Sequence, residues 1–223
     1  MIPWVHLDTA KIPNGGELRL MRRGAELSIM SGSIELMNSR LSGSERALAT
    51  LACARIDGRP SAQVLIGGLG MGFTLRTALA ELPNNAGVVV SELVPAVVSW
   101  ARGPMTELFK GCLDDPRVAV IEADVVGVIA AARGRFDAIL LDVDNGPGGL
   151  NRDANDRLYS VGGLNAARRA LRPGGVLAVW SAGRDDGFTR RLEGAGYQAE
   201  EVPVRATGGK RGARHVIWLA TPR

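Results

Sequence analysis

Four carboxylates fall where an apolar run of this sequence gives way to a polar turn. Glu92 ends GVVVSE, Asp124 ends VAVIEAD, and Asp142 and Asp144 close FDAILLDVD. An acid at the mouth of a buried strand is costly to desolvate, so such a set points to ligand binding or proton transfer. Ahead of them, Val64-Leu-Ile runs into Gly67-Gly68-Leu-Gly70-Met-Gly72, a glycine-rich turn between a strand-like and a helix-like segment. Glycine in such a turn lets the backbone approach a ligand at a helix N-terminus, because no Cβ stands in the way. Glu92 lies 20 residues beyond Gly72. From there a carboxylate accepts hydrogen bonds from both ribose hydroxyls of an adenosine cofactor. Asp124 reads two ways, as an acceptor for an adenine amino group and as the N-cap of VVGVIAAA. Asp142 and Asp144, followed by Asn145, stand at the mouth of a buried strand, where two carboxylates are costly to desolvate without a role or a partner, so both are catalytic candidates.

Other chemistries fit poorly. The dinucleotide fingerprint fails in both registers: counted from Gly68 its last position is Phe73, and counted from Gly67 its third residue is Leu69. No GK[ST] follows, which removes the Walker-type phosphate loop. His6 and His215 are the only histidines and Cys53 and Cys112 the only cysteines. None has metal-ligand or disulfide-framework spacing, so no metal is expected. Of 27 basic residues 24 are arginine, spread along the chain, so the net charge of +4 is a weak argument for a nucleic-acid partner. One local cluster, Arg205, Lys210, Arg211 and Arg214, reads as a solvated hairpin loop or as an anion or RNA contact; nucleic acid is not the expected partner.

The elements that must hold these acids can be read from patterning. From Val64 onward, continuous apolar runs (VLIG, GVVVSE, VAVIEAD, FDAILLDVD, GVLAVWS) alternate with helix-like stretches. That pattern predicts a parallel, doubly wound sheet covered on both faces. The run 157–173 predicts a helix stopped by Pro173-Gly174-Gly175, and RDDGFTRRLEGAG another helix. YQAEEVPV and HVIWLA, with no helix between them, predict an antiparallel pair at one edge. Before this, ELRLMR, AELSIM and SIELMNS alternate with period 2 and break at Gly24 and Gly32, a small β-meander. Ser42-Gly-Ser-Glu45 has the form of a capping box opening a helix. The expected organisation is a β-rich arm over 1–41 and a Rossmann-like domain over 42–223. A chain of 223 residues allows one full domain. No run of 18 apolar residues and no signal-peptide segment occurs, so a soluble, cytoplasmic protein is expected.

From about Gly32 to Ser181 the sequence resembles the spermidine synthase family, within the class I S-adenosylmethionine-dependent methyltransferase superfamily. VLIGGLGMG resembles the family's strand and GGGDGG loop, and DPRVAVIEAD its DPRV…GD segment. LLDVDNGP resembles the LDS[ST]DP stretch, LYSVGGLNAARRALRPGGVLAV the LF…RALKPGG run, and SGSIELMNSRLSGSERALATL the DG-x-x-Q…Y-[HQ]-E-M-L region. The resemblance implies a class I methyltransferase sheet with an antiparallel C-terminal edge. It makes Glu92 the ribose acid, Asp124 the adenine acid and Asp142 the general base. It implies S-adenosylmethionine, or its decarboxylated form, as cofactor, a small-molecule acceptor and a homodimer. Departures stand out: Gly70 replaces the loop Asp that holds the aminopropyl amine, Ser44 the Tyr and Asn145 the second Asp of the polyamine site, and Glu35 the Gln of DG-x-x-Q. Glu35, Glu45 and Asn145 are the expected acceptor-binding residues, with Asp153 and Asp156 able to add acidity, and residues 145–156 are expected to form a lid. Because specific capture of a diamine's far ammonium needs a fixed carboxylate, the leading expectation is methyl transfer to a small molecule. Aminopropyl transfer to a polyamine and a non-catalytic nucleoside-binding role are the alternatives.

Overall fold

In the computed structural model, the described residues are 2–13, 15–143, 147, 157–207 and 212–223. The chain opens with a four-stranded antiparallel meander, β1 (Val5–Lys11), β2 (Glu17–Arg23), β3 (Glu26–Ser31) and β4 (Ile34–Asn38), in the order β1-β2-β3-β4. Gly24 and Gly32, with φ of +59° and +57°, make the turns flanking β3, a conformation that a Cβ disfavours. The sequence pattern marks three of these strands and misses β1. That strand is one of the two at the sheet's edges and buries only Ala10, so VHLDTAK carries no apolar periodicity.

Helix α1 (Gly43–Arg55) follows, with Ser42 at its N-cap. The capping box expected there does not form, as the Ser42 side chain makes no cap hydrogen bond. Glu45 instead accepts from Ser44 Oγ at 2.8 Å. Then come β5 (Gln63–Gly67), α2 (Phe73–Glu81), β6 (Gly87–Glu92), α3 (Pro95–Arg102), α4 (Thr106–Phe109), a 3-10 turn (Cys112–Asp114), β7 (Val118–Glu122), α5 (Val125–Ala131) and β8 (Phe136–Leu141). The remaining elements are α6 (Val161–Ala170), β9 (Leu171–Ser181), α7 (Asp186–Gly194), β10 (Tyr197–Arg205) and β11 (Arg214–Pro222).

Seven strands form one sheet in the order β10-β11-β9-β8-β5-β6-β7. β5 to β9 are mutually parallel and β10 and β11 antiparallel, so the C-terminal hairpin closes one edge with its second strand inserted beside β9. Period-2 alternation sorts the side chains onto two faces. Val64, Ile66, Ala138, Leu140, Val176, Ala178, Ile217 and Leu219 join one core with α1, α2 and α3, and the meander's Leu20 and Ile29 belong to that same core. Leu65, Ile139, Leu141, Leu177, Val179 and Trp218 join the second, with α5, α6 and α7. All six residues of β8 are buried, as a central parallel strand requires.

Of the helix expected over 157–173, residues 157–159 are helical, Ser160 interrupts the run and caps α6, and α6 ends at Ala170. Pro173-Gly174-Gly175 does not stop it, because Leu171 already pairs with Phe136 in the sheet. Those three residues form an irregularity between the Leu171 and Val176 pairings, with Gly174 at φ +71°. Among the described residues no helix is long and apolar enough to cross a membrane.

Candidate active site

The strand order reverses at β5, which has β6 on one side and β8 on the other. In an open α/β sheet, that switch point leaves a crevice beyond the carboxyl ends of the strands. The glycine turn lies across it. Gly68 donates to Ser91 O at 2.8 Å, while Asp142 N donates to Gly67 O at 3.0 Å, so the turn is bonded to the tips of β6 and β8 together. Gly68 has φ +90°, and a Cβ there would stand 2.5 Å from the Asp142 carbonyl oxygen. Gly72, the N-cap of α2, has φ +76°, and its Cβ would stand 2.5 Å from the Phe109 ring. Both positions therefore require glycine. Gly70 lies under Met37 of the meander, whose Sδ would be 3.1 Å from a Cβ. A strand far away in sequence thus reaches the turn.

Glu92, at 8% exposure, is built into this turn. Its Oε2 accepts from Leu69 N at 2.8 Å and its Oε1 from Val94 N at 2.9 Å. Burial pushes its carboxyl above the usual range, and the amides of Val94, Leu69, Gly70 and Leu93 oppose that rise. A carboxylate can accept about two bonds per oxygen, so the acid that ties the turn together could also accept from ribose hydroxyls. Asp124 caps α5, its Oδ1 accepting from Val126 N at 2.9 Å. Its Oδ2 has no hydrogen-bond partner among the described residues, so the capping and adenine-binding readings are compatible. A glycine turn tied to a buried acid, with a second acid at the end of β7, fits an adenosyl group.

Beside the turn, α1, α2 and the end of β8 bring two further acids together. Half-buried Asp142 accepts from Thr74 Oγ1 at 2.6 Å, and the same hydroxyl lies 3.4 Å from the Glu45 carbonyl. Burial first, and then the like charge of Glu45, push the Asp142 carboxyl up to about 7 against the lowering effect of the Thr74 bond. Burial likewise raises the carboxyl of Glu45. Among the described residues no arginine or lysine pairs with either acid. Two mutually repelling carboxyls without a counter-ion are relieved by a proton held on one of them or by a cationic ligand.

Of the residues expected from sequence, the structure brings Gly67, Gly68, Gly70, Gly72, Glu92, Asp142 and Glu45 together at the switch point, with Asp124 at the neighbouring strand end. Glu35 is engaged elsewhere: its carboxylate accepts from Ser28 Oγ at 2.7 Å and Asn38 Nδ2 at 3.0 Å and faces Arg40 at 3.8 Å. Asp144, Asn145, Asp153 and Asp156 lie outside the described residues, as do Lys210 and Arg211 of the basic loop. Sequence reasoning missed Thr74, Met37 and His215. Thr74 carries a local signal, a hydroxyl residue in the first turn after the glycines; Met37 and His215 carry none, since both arrive through long-range packing. Among the described residues no cluster of His, Cys, Asp or Glu is placed to hold a metal.

No protein-family model matches the chain. Polyamine aminopropyltransferase 1 of Streptomyces coelicolor is 32% identical over 159 residues, covering 65% of this chain and 28% of that protein. A polyamine aminopropyltransferase of Mycobacterium tuberculosis is 34% identical over 119 residues, 52% of this chain and 22% of that protein. The chain thus spans about a quarter of the length of these curated relatives. Among solved structures, the spermidine synthase from Thermotoga maritima superposes with a TM-score of 0.77 at 17% identity, over 98% of this chain and 73% of that one. A spermidine synthase bound to the transition state analogue AdoDATO gives 0.76 at 17% identity, over 98% and 72%. At this identity the structural likeness carries the fold.

Proposed function

This chain belongs to the spermidine synthase, or polyamine aminopropyltransferase, family with its S-adenosylmethionine-dependent methyltransferase fold, and from that premise we propose that it transfers an aminopropyl group from decarboxylated S-adenosylmethionine to an amine acceptor. The observation that carries the reading is the pair Asp142 and Glu45 at the switch point, without a cationic partner among the described residues and beside a turn suited to a nucleoside. The order of the two transfer readings is thereby the reverse of that drawn from the sequence. The matched relatives are polyamine aminopropyltransferases, and Glu45, with no cation paired to it among the described residues, supplies a carboxylate for a cationic acceptor.

The bound donor supplies its own activation, since its sulfonium leaves as a neutral thioether. This chain's residues supply alignment and a proton acceptor. Glu92 and Asp124 hold the nucleoside, and the Gly67–Gly72 backbone admits the chain attached to sulfur. Glu45 draws a cationic amine to the mouth of β8. Asp142 takes the proton that the attacking nitrogen loses as it bonds to carbon and the S–C bond breaks. A carboxyl titrating near neutrality combines a useful ionised fraction at pH 7 with greater basicity than an exposed Asp, the compromise that base catalysis favours. Thr74 fixes the rotamer of that carboxyl. Holding nucleophile and electrophile in line can supply roughly 7–11 kcal/mol at the upper range.

Purified protein given putrescine with either donor separates the readings. Formation of methylthioadenosine from the decarboxylated donor supports aminopropyl transfer. S-adenosylhomocysteine from the intact donor supports methyl transfer, the reading favoured by Gly70 in place of the family's loop acid. Nucleoside binding without turnover on any acceptor, barely altered by Asp142→Asn, marks a non-catalytic binding protein.

A further inference from the structure

His215 lies on β11, two strands from β8 in the sheet, yet it is bonded to Ser44 of α1 beside Glu45. Its Nδ1 is 2.9 Å from Ser44 Oγ, and Ser44 Oγ donates to Glu45 Oε2 at 2.8 Å. A hydroxyl has one hydrogen. With the Glu45 carboxylate ionised, Ser44 gives its hydrogen to Glu45 and its oxygen accepts from His215, which places the imidazole proton on Nδ1. The chain of donors runs in one direction: His215 Nδ1–H to Ser44 Oγ–H to the Glu45 carboxylate.

The surroundings hold this arrangement in place. Ser44 is 1% exposed, at the start of α1, where Gly43 N also donates to Ala206 O at 2.7 Å and ties the helix to the C-terminal hairpin. The half-buried His215 ring sits edge-on to Trp180 of β9 at 4.8 Å. Burial lowers the imidazole's affinity for a proton, which favours the neutral ring at neutral pH. Charged or titratable groups near it are Glu45 on α1, Arg214 beside it on β11 and Arg205 opposite Arg214 on β10; Trp180 and Val204, from β9 and β10, are neutral.

We propose that His215 is a positioning residue for the acceptor: through Ser44 it aims the Glu45 carboxylate at the ammonium of the incoming amine, so that affinity for the acceptor depends on a side chain that never touches it. Without the Nδ1–H donor, Ser44 is free to turn and Glu45 loses its fixed orientation, while Asp142, Thr74 and the glycine turn are left as they are. The inference rests on the aminopropyl-transfer reading.

The test uses three variants of the full chain. Asn places an amide N–H close to where Nδ1–H stands, whereas Phe keeps the edge-on packing on Trp180 and removes the donor. With putrescine as acceptor, H215F is expected to raise KM about tenfold with kcat within about threefold and donor affinity by calorimetry unchanged, and H215N to stay near the wild-type KM. Because the chain has two histidines, the His215 ring can be followed apart from His6 by NMR. E45Q is expected to move the His215 titration to lower pH, since the neighbouring negative charge that favours the imidazolium is gone. The inference is overturned if H215F keeps the wild-type KM, if H215N is as impaired as H215F, or if E45Q leaves the His215 titration unmoved. A wild-type chain that transfers nothing to putrescine overturns the proposed function itself, whereas an active wild type with a normal H215F variant overturns this inference alone.

Discussion

At the amino end of β8, Asp137 accepts from Gln63 N at 2.7 Å and is clamped by Arg59 and Arg172, each at 2.8 Å. Just beyond the carboxyl end of the same strand, Asp142 has the Thr74 hydroxyl and the like charge of Glu45. Burial opposes ionisation of both. At Asp137 the Gln63 amide and the two guanidinium groups outweigh burial and hold the carboxyl below its ordinary value. At Asp142 nothing outweighs it, and the carboxyl rises to about 7. The same residue type is thus an ion-paired anchor at one end of β8 and, just past the other end, a carboxyl raised toward neutrality with no paired cation among the described residues. Arg59 further donates to Pro173 O at 2.8 Å, so the anchor also fixes the irregular start of β9. At the amino end of β8 the charge is met by the protein's own arginines, whereas at the carboxyl end no cation pairs with Asp142 among the described residues.

The largest effect expected from breaking this contrast is on turnover. Asp142→Asn should lower kcat by about 10²–10⁴-fold in a steady-state assay with the decarboxylated donor, the range for loss of a general base. Donor affinity by calorimetry should change little. Asp137→Ala should do the opposite. It should cost about 2–4 kcal/mol of unfolding free energy in denaturant titrations, because two partly exposed arginines and a backbone amide lose their shared acceptor. Its kcat per folded molecule should match the wild type.

A smaller effect concerns stability at the reactive end. Asp142 has a folded value raised to about 7 against an unfolded value of about 3.9, so the folded state binds more protons and its stability falls as pH rises between these values. Asp142→Asn should therefore be more stable than the wild type at pH 8, by about 1–2 kcal/mol for a half-buried group, with the gain shrinking toward pH 5. Asp137 has the reverse sign. Its stabilisation is present above the unfolded value and lost as acid takes pH down through its lowered folded value, which acid unfolding of wild type and Asp137→Ala would compare. The smallest effect sharpens the role of Glu45. Glu45→Gln removes the like charge beside Asp142, and the acid limb of the kcat/KM profile should move to lower pH.

Much of the fold was legible because burial on both faces forces continuous apolar runs, and β5, β6, β8 and the core of β9 are such runs. The glycines at 68 and 72 were legible for a related reason: close backbone approach leaves no other residue type. Elements with less to bury were harder. β1 exposes most of its side chains, and Pro173-Gly174-Gly175 reads as a stop signal although it forms an irregularity within β9. The capping box had the right letters, but Ser44 competes with the helix terminus for Glu45.

For the site, the amino-acid sequence by itself determined that Glu92, Asp124 and Asp142 would stand at strand ends around a glycine turn, because strand periodicity and turn chemistry are local properties. It did not determine which acids would find partners. Asp137 and Asp142 look alike in sequence, and what separates them is Arg59 and Arg172 arriving from other elements at one end while Glu45 arrives at the other. Nor could it place Met37 over Gly70, or His215 behind Ser44, since each is brought in by a strand far along the chain. Local pattern sets where a charge can stand, but its protonation and orientation depend on the field of its neighbours, which exists only once the chain has packed.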